Sequence, residues 1–219
     1  MQTIEMIGPP GAGKTTISQE LSNKEDLYFS RTKAFASSLP AGFIVKHAPP
    51  LWPAVRTLFS HVRPRYEREF ISRYPGVLET IAPIIRTSDD AENVLDLIFR
   101  EAAWFAFFSD HLADNETYVI DDGLYQFHLR LMSIDGWNAT RILDRLHKPN
   151  KFIFVDAPAE TCFHRQNSRP RGRASKLVGL TESEAIREIN EMRSGSEKIV
   201  TEAKARDIEV DVIKTNSNS

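Results

Sequence analysis

Short apolar runs alternate with longer stretches of helical spacing along this chain. "QTIEMI" (2–7) reads as a buried strand, and "KTTISQELSN" (14–23) reads as a helix that begins inside the glycine turn before it. "LYFS" (27–30) has the length and composition of a further short strand. From about Pro49 to Arg86, Pro, Arg and aromatic residues break the helical periodicity. The clearest long helix is "SDDAENVLDLIFREAAWFAFFSDHLAD" (88–114), with Ser88 or Asp89 as cap and acidic residues in its first turn. Leu95, Ile98, Phe105 and Leu112 give it one apolar stripe. "TYVIDD" (117–122) reads as a strand that ends in two carboxylates, and "KFIFVDA" (151–157) as a third strand followed by a short helix through Cys162. Thr181 and Glu184 form a capping box for a helix over 181–207 that Gly195 interrupts, and "IEVDVIK" (208–214) is the last strand.

Strands alternating with helices in this order predict an α/β fold, with a mostly parallel five-stranded sheet flanked by helices. No linker or repeat divides the chain, so 1–215 reads as one domain and 216–219 as a disordered tail.

Composition narrows this picture. The 219 residues suffice for one sizeable core, and 28 basic against 30 acidic residues give a net charge of −2. That balance gives no general attraction to nucleic acid or to anionic membranes. The single Cys162 cannot form an internal disulfide, which suits a reducing compartment. The N-terminus has no basic flank, and no apolar run approaches a membrane span, so a cytoplasmic location is expected. Neither His111 nor His128 has a Cys or His three or four residues on, which excludes a zinc pattern at those positions.

The chemistry starts at "GPPGAGKTT" (8–16), which fits G-x-x-x-x-G-K-[ST]. Glycines let the backbone wrap so that successive N–H groups converge on phosphate oxygens, and the following helix aims its positive end there. Gly8, Gly11, Ala12, Gly13, Lys14, Thr15 and Thr16 are therefore the nucleotide-binding set. Lys14 bridges the outer phosphates and the Thr15 hydroxyl ligates Mg²⁺. The class of nucleotide protein depends on other segments. A GTPase needs N-K-x-D after a later strand; Asn150 and Lys151 precede theirs, and Ile153 fills the position of the Asp. An ATPase and a kinase both need a carboxylate such as those of "VIDD" to organise Mg²⁺. Arg165, Arg169, Arg171 and Arg173 crowd into 165–173, where a mobile cationic lid would spread charge and exclude water from a transferring phosphoryl group.

The order of the P-loop, the long helix, "VIDDG" and "FVDAPAETCFHRQNSRPR" resembles the P-loop nucleoside and nucleotide kinases of the thymidylate-kinase and deoxynucleoside-kinase type. The likeness covers roughly 1–22 and 90–180. It implies a P-loop kinase core with a helical acceptor cap over about 31–114 and an arginine-rich lid over about 165–180. It also implies ATP and Mg²⁺, a small-molecule phosphoryl acceptor and a homodimer. Carried over, Lys14, Asp121, Arg165 and Arg169 take catalytic roles, Arg171 joins the nucleotide site, and Thr15 and Asp121 hold Mg²⁺. The family keeps an arginine after its first carboxylate, and this chain has Asp122. That exchange shifts local charge by about two units and makes Asp122 a candidate for a Mg²⁺-bound water or a hydroxyl-rich acceptor.

Arg56, Arg63, Arg65, Arg68 and Arg73 interleave with Trp52, Phe59, Tyr66, Phe70 and Tyr74. Such a mixture can grip an oligonucleotide. Trp52, Phe59, Tyr66 and Phe70 also recur at helical spacing, and Glu67 and Glu69 dilute the charge, which favours a buried face with solvated arginines. Arg100 is a further candidate acceptor contact. The expected activity is an ATP-dependent phosphotransferase acting on a nucleoside- or nucleotide-like acceptor. A polynucleotide-end or sugar kinase, and a P-loop ATPase with a binding or regulatory role, are the alternatives.

Overall fold

The computed structural model describes residues 1–24, 28–29, 34, 52–87, 91–130, 137–170 and 172–215. Ser88, Asp89, Arg171 and the tail 216–219 lie outside the described residues, as does most of 25–51. Four strands of four to six residues form the body of a parallel sheet: β1 (Gln2–Ile7), β3 (Thr117–Ile120), β4 (Lys151–Asp156) and β5 (Glu209–Lys214). The two-residue β2 (Tyr28–Phe29) adds a fifth at one edge, in the order β2-β3-β1-β4-β5. β1 pairs with β3 on one side and β4 on the other, so the turn after Ile7 opens at the centre of the sheet.

Each strand of the interior divides its side chains between two cores, because the strand period is two. Ile4, Met6, Val119, Ile153 and Val155 face a cluster completed by Ala12, Cys162, Phe163, Ala185 and Ile189. Ile7, Tyr118, Ile120, Phe152 and Phe154 face a larger one. Both faces are covered, as a parallel sheet requires.

The helices are α1 (Lys14–Lys24), α2 (Trp52–Arg73), α3 (Val77–Thr87), α4 (Ala91–His111), α5 (Leu124–Arg130), α6 (Ala139–Arg145), α7 (Ala159–Asn167) and α8 (Glu182–Lys204). The Pro-rich stretch is more regular than its sequence suggests. It forms α2 and α3, and α2 continues through Pro64. An interior proline costs about 3 kcal/mol. Burial of Phe59, Tyr66 and Phe70 on one face of α2 offsets that cost. Phe59 stacks on Trp104 of α4, and Tyr66 meets Phe107 edge-on. On the other side of α2, Arg63 pairs with Glu67 and Asp96, and Arg73 with Glu69 and Asp110.

α8 is continuous across Gly195, contrary to the expected interruption. Gly195 is buried, and so are Met192, Ser196 and Ile199 around it, so packing outweighs the low helix propensity of glycine. The Thr181–Glu184 capping box forms in full.

Candidate functional site

The turn from β1 into α1 forms the floor of a cavity of about 700 Å³. That volume is typical of a small-ligand site. Pro10, Gly11, Gly13, Lys14, Thr15 and Thr16 line it from the turn. Gly11 has φ +92°, and a Cβ there would lie 2.5 Å from the Cys162 carbonyl oxygen, so α7 leaves room for glycine alone. Gly8 and Ala12 shape the loop without lining the cavity. The Gly8 N–H donates to Gln126 Oε1 at 3.2 Å. The ammonium of Lys14 folds back on the turn and donates to the carbonyls of Gly8 (2.7 Å) and Pro9 (3.0 Å).

The strand end of β3 brings its carboxylates to the same cavity, beside the turn. Thr15 Oγ1 donates to Asp121 Oδ2 at 3.0 Å, across 106 positions of sequence. Asp122 also lines the cavity. A hydroxyl and a carboxylate at this separation are hard oxygen donors that suit Mg²⁺, which takes few protein ligands and completes its shell with phosphate oxygens and water. Among the described residues, no cluster of three His, Cys, Asp or Glu side chains offers a competing all-protein metal cage.

The arginines reach the cavity by different routes. Arg165 sits on α7 itself, ahead of the loop, and its Nη1 donates to the carbonyls of Gly11 and Ala12 (both 3.4 Å) and to Thr215 Oγ1 (3.2 Å). It therefore braces the turn against α7 and the end of β5. Arg173 donates to Asn167 Oδ1 (2.6 Å) and the Leu180 carbonyl (3.0 Å), and covers the Phe163 ring. Arg169 donates to Gln166 Oε1 at 3.1 Å. Lys176 adds a cation and pairs with Glu188. Arg100 lines the wall contributed by α4. Six cations (Lys14, Arg100, Arg165, Arg169, Arg173 and Lys176) thus face one cavity with two carboxylates, Asp121 and Asp122. This charge pattern suits a polyanion.

Two groups that sequence reasoning missed hold the acidic rim in place. Glu5, fully buried in β1, accepts from the Tyr125 N–H at 2.7 Å through Oε1. A Cβ on Gly123 would lie 2.5 Å from the same oxygen, so the turn after Asp122 closes directly on this carboxyl. Burial pushes Glu5 up to about 8, against the backbone N–H groups of Tyr125 and Gln126, which favour the charged form. His147 Nε2 lies 3.7 Å from Glu5 Oε2, and burial pushes this imidazole down to about 3. Burial thus disfavours the charged form of both partners, which argues against a salt bridge between them. Gln126 then carries the constraint to the Gly8 N–H. A polar residue inside an apolar strand was the available signal for Glu5, and Gln126 gave none.

Comparison with curated proteins finds no match. Among solved structures, deoxyadenosine kinase from M. mycoides with bound dCTP matches with a TM-score of 0.50 and 13% identity, covering 97% of this chain and 90% of that one. The same kinase with bound dATP matches at a TM-score of 0.44 and 13% identity over 97% of this chain and 90% of that one. At this identity the likeness is one of fold. A family described as AAA domain matches residues 4–191, a span that takes in the glycine turn, the acidic strand end and the arginine loop. With a glycine-rich phosphate loop at the centre of a parallel sheet and most of its length matched, the chain belongs to the AAA domain family.

Proposed function

We propose that this protein is an ATP-dependent kinase that moves a γ-phosphoryl group to a small hydroxyl- or phosphate-bearing acceptor. A single observation carries the reading: Lys14 and Thr15, the Asp121 carboxylate, Arg165, Arg169 and Arg173 converge on one cavity. In this scheme the turn from Gly11 to Thr16 holds the donor phosphates by backbone N–H groups. Lys14 exchanges its carbonyl partners for phosphate oxygens. Thr15 and Asp121 would hold Mg²⁺, which when bound neutralises phosphate charge and fixes phosphate geometry. Asp121 orients the acceptor hydroxyl and accepts its proton. Arg165 and Arg169 stabilise the negative charge on the transferring group, and the loop excludes water.

A small acceptor fits better than a nucleic-acid end. Arg63 and Arg73 on α2 are each held by two carboxylates, and Phe59, Tyr66 and Phe70 of that helix are packed inward. Such a face buries three of the rings that a strand would stack on and pairs two of its arginines within the protein. The fold shared with deoxyadenosine kinase makes a nucleoside-like acceptor the first class to screen. Among the described residues no helix is long and apolar enough to cross a membrane, which is compatible with a cytoplasmic enzyme.

The test is ADP release from ATP and Mg²⁺ across panels of nucleosides, nucleotides, sugars and oligonucleotides. At least one small acceptor should raise the rate well above the acceptor-free background. A rate that no acceptor changes would reject the kinase reading in favour of a slow ATPase with a binding role.

A further inference from the structure

Two neighbouring side chains at the end of α7 fasten the base of the arginine loop: Asn167, which accepts from Arg173 Nε at 2.6 Å, and Gln166, which holds two further groups. Gln166 is fully buried. Its Oε1 accepts two hydrogen bonds from opposite ends of the loop, from Arg169 Nη1 at 3.1 Å and from the Ala174 N–H at 2.8 Å. Both partners are donors, so only the oxygen can face them, and the orientation of the amide follows from chemistry. The other end of the amide, Nε2, is buried with no hydrogen-bond partner among the described residues. An unmade donor in the interior is a cost that an apolar side chain of the same length would avoid. Packing alone therefore gives no reason for glutamine here, whereas the doubly used oxygen does.

The neighbouring arginines sharpen its role. Arg165 is tied to the phosphate turn and Thr215, and Arg173 to Asn167 and Leu180. Arg169 lines the cavity, and its guanidinium is oriented by the hydrogen bond that it donates to Gln166 Oε1. We infer that Gln166 is a positioning residue, which closes the base of the loop over 167–173 and aims Arg169 into the cavity. The closure follows from contacts within the loop alone. Its effect on ATP rests on the phosphate-binding reading of the cavity.

Two substitutions separate this role from filling of the core. Gln166→Met removes the shared acceptor and keeps the length, whereas Gln166→Glu keeps an acceptor oxygen and removes the orphan donor. Limited trypsin digestion reads loop opening, since the bonds after Arg171 and Arg173 are cleavable and the one before Pro170 is resistant. Gln166→Met should be cut in the loop about tenfold faster than wild type. Gln166→Glu should stay within about twofold of wild type. Equal loop cutting in wild type and Gln166→Met would overturn the proposal, and so would equally fast cutting in both variants. Should Gln166→Met fail to fold, amide exchange in the unmodified protein decides instead. The Ala174 N–H, held by the buried Gln166 oxygen, should exchange far more slowly than the Gly172 N–H, whose bond to the Arg169 carbonyl lies on the exposed turn, and equal rates would overturn the closure.

ATP binding tests the aim of Arg169. Gln166→Met and Arg169→Ala should weaken binding by similar factors, and the double variant should lose little more than either alone. Fully additive losses would overturn the positioning role. If ATP binds to none of these proteins while the digestion contrast persists, the fault lies with the phosphate-binding reading and not with the closure.

Discussion

The two halves of this molecule solve different problems with similar residue types. Around the phosphate turn, arginines and carboxylates face a cavity: Arg165, Arg169, Arg173 and Asp121 all line it. Along α2 and α4, arginines and carboxylates neutralise one another on the outer surface, and aromatic rings fill the space beneath. Arg63 and Asp96 are as oppositely charged as Lys14 and Asp121, yet only the second pair lines a space that a ligand can enter. Charge in the sequence therefore says little until burial and pairing decide whether it is spent within the protein. The contrast predicts that substitutions near the turn change chemistry at nearly constant stability, while substitutions on the helical side do the reverse.

The largest effect expected is on activity. Lys14→Ala should lower phosphoryl transfer by about a thousandfold with a far-ultraviolet spectrum and melting midpoint close to wild type. A Lys14→Ala protein that transfers at the wild-type rate would remove the turn from the mechanism. On the helical side, Phe70 is fully buried against Tyr74 and Phe105. Phe70→Ala should cost about 3–5 kcal/mol in urea unfolding, and a loss below about 1 kcal/mol, in the range of surface changes, would show that this face is not a core. Within the acidic rim, Asp121→Asn should slow turnover by about a hundredfold, and Asp122→Asn by less than about tenfold. The reverse order would move the functional carboxylate to Asp122.

The smallest effect concerns the buried acid under that rim. Glu5 keeps a proton up to about pH 8 in the folded protein, whereas an ordinary glutamate loses it near 4.5. Between those values the folded state binds more protons than the unfolded chain, so Glu5 makes stability fall as pH rises. His147 and His128, held down to about 3 and about 4, act in the opposite direction, but only below the ordinary histidine value of 6.5. The window from 6.5 to 8 therefore belongs to Glu5 among these three. Wild type should lose about 1–2 kcal/mol across that window, and Glu5→Gln should abolish the slope. Parallel stability curves for the two proteins would refute a protonated Glu5.

The difference between the halves also explains what the sequence could tell. The phosphate turn, Asp121 and the arginine loop were legible because backbone geometry demands glycine at fixed spacing and because strands of a parallel sheet end on one edge. The amphipathic face of α2 was legible from Phe59, Tyr66 and Phe70, although Pro64 hid its helical continuity. Gln126, Glu5, His147 and Gln166 were not legible as parts of the site. Each is a buried polar residue, and three of the four act on partners more than a hundred positions away: Gly8, Tyr125 and Glu5. Such contacts exist only after the chain has folded, and no local spacing encodes them. Arg165 shows the limit from the other side: its place in an arginine-rich run suggested a mobile lid, but the helix α7 carries it to the carbonyls of the turn.

The central claim is that this cavity transfers phosphate rather than merely holding it. The direct measurement follows the label from γ-labelled ATP in the presence of Mg²⁺ and the acceptor that most stimulates ADP release. The account predicts label covalently bound to that acceptor, in equal amount to the ADP formed, and none in the Lys14→Ala protein. Label recovered entirely as inorganic phosphate would contradict it.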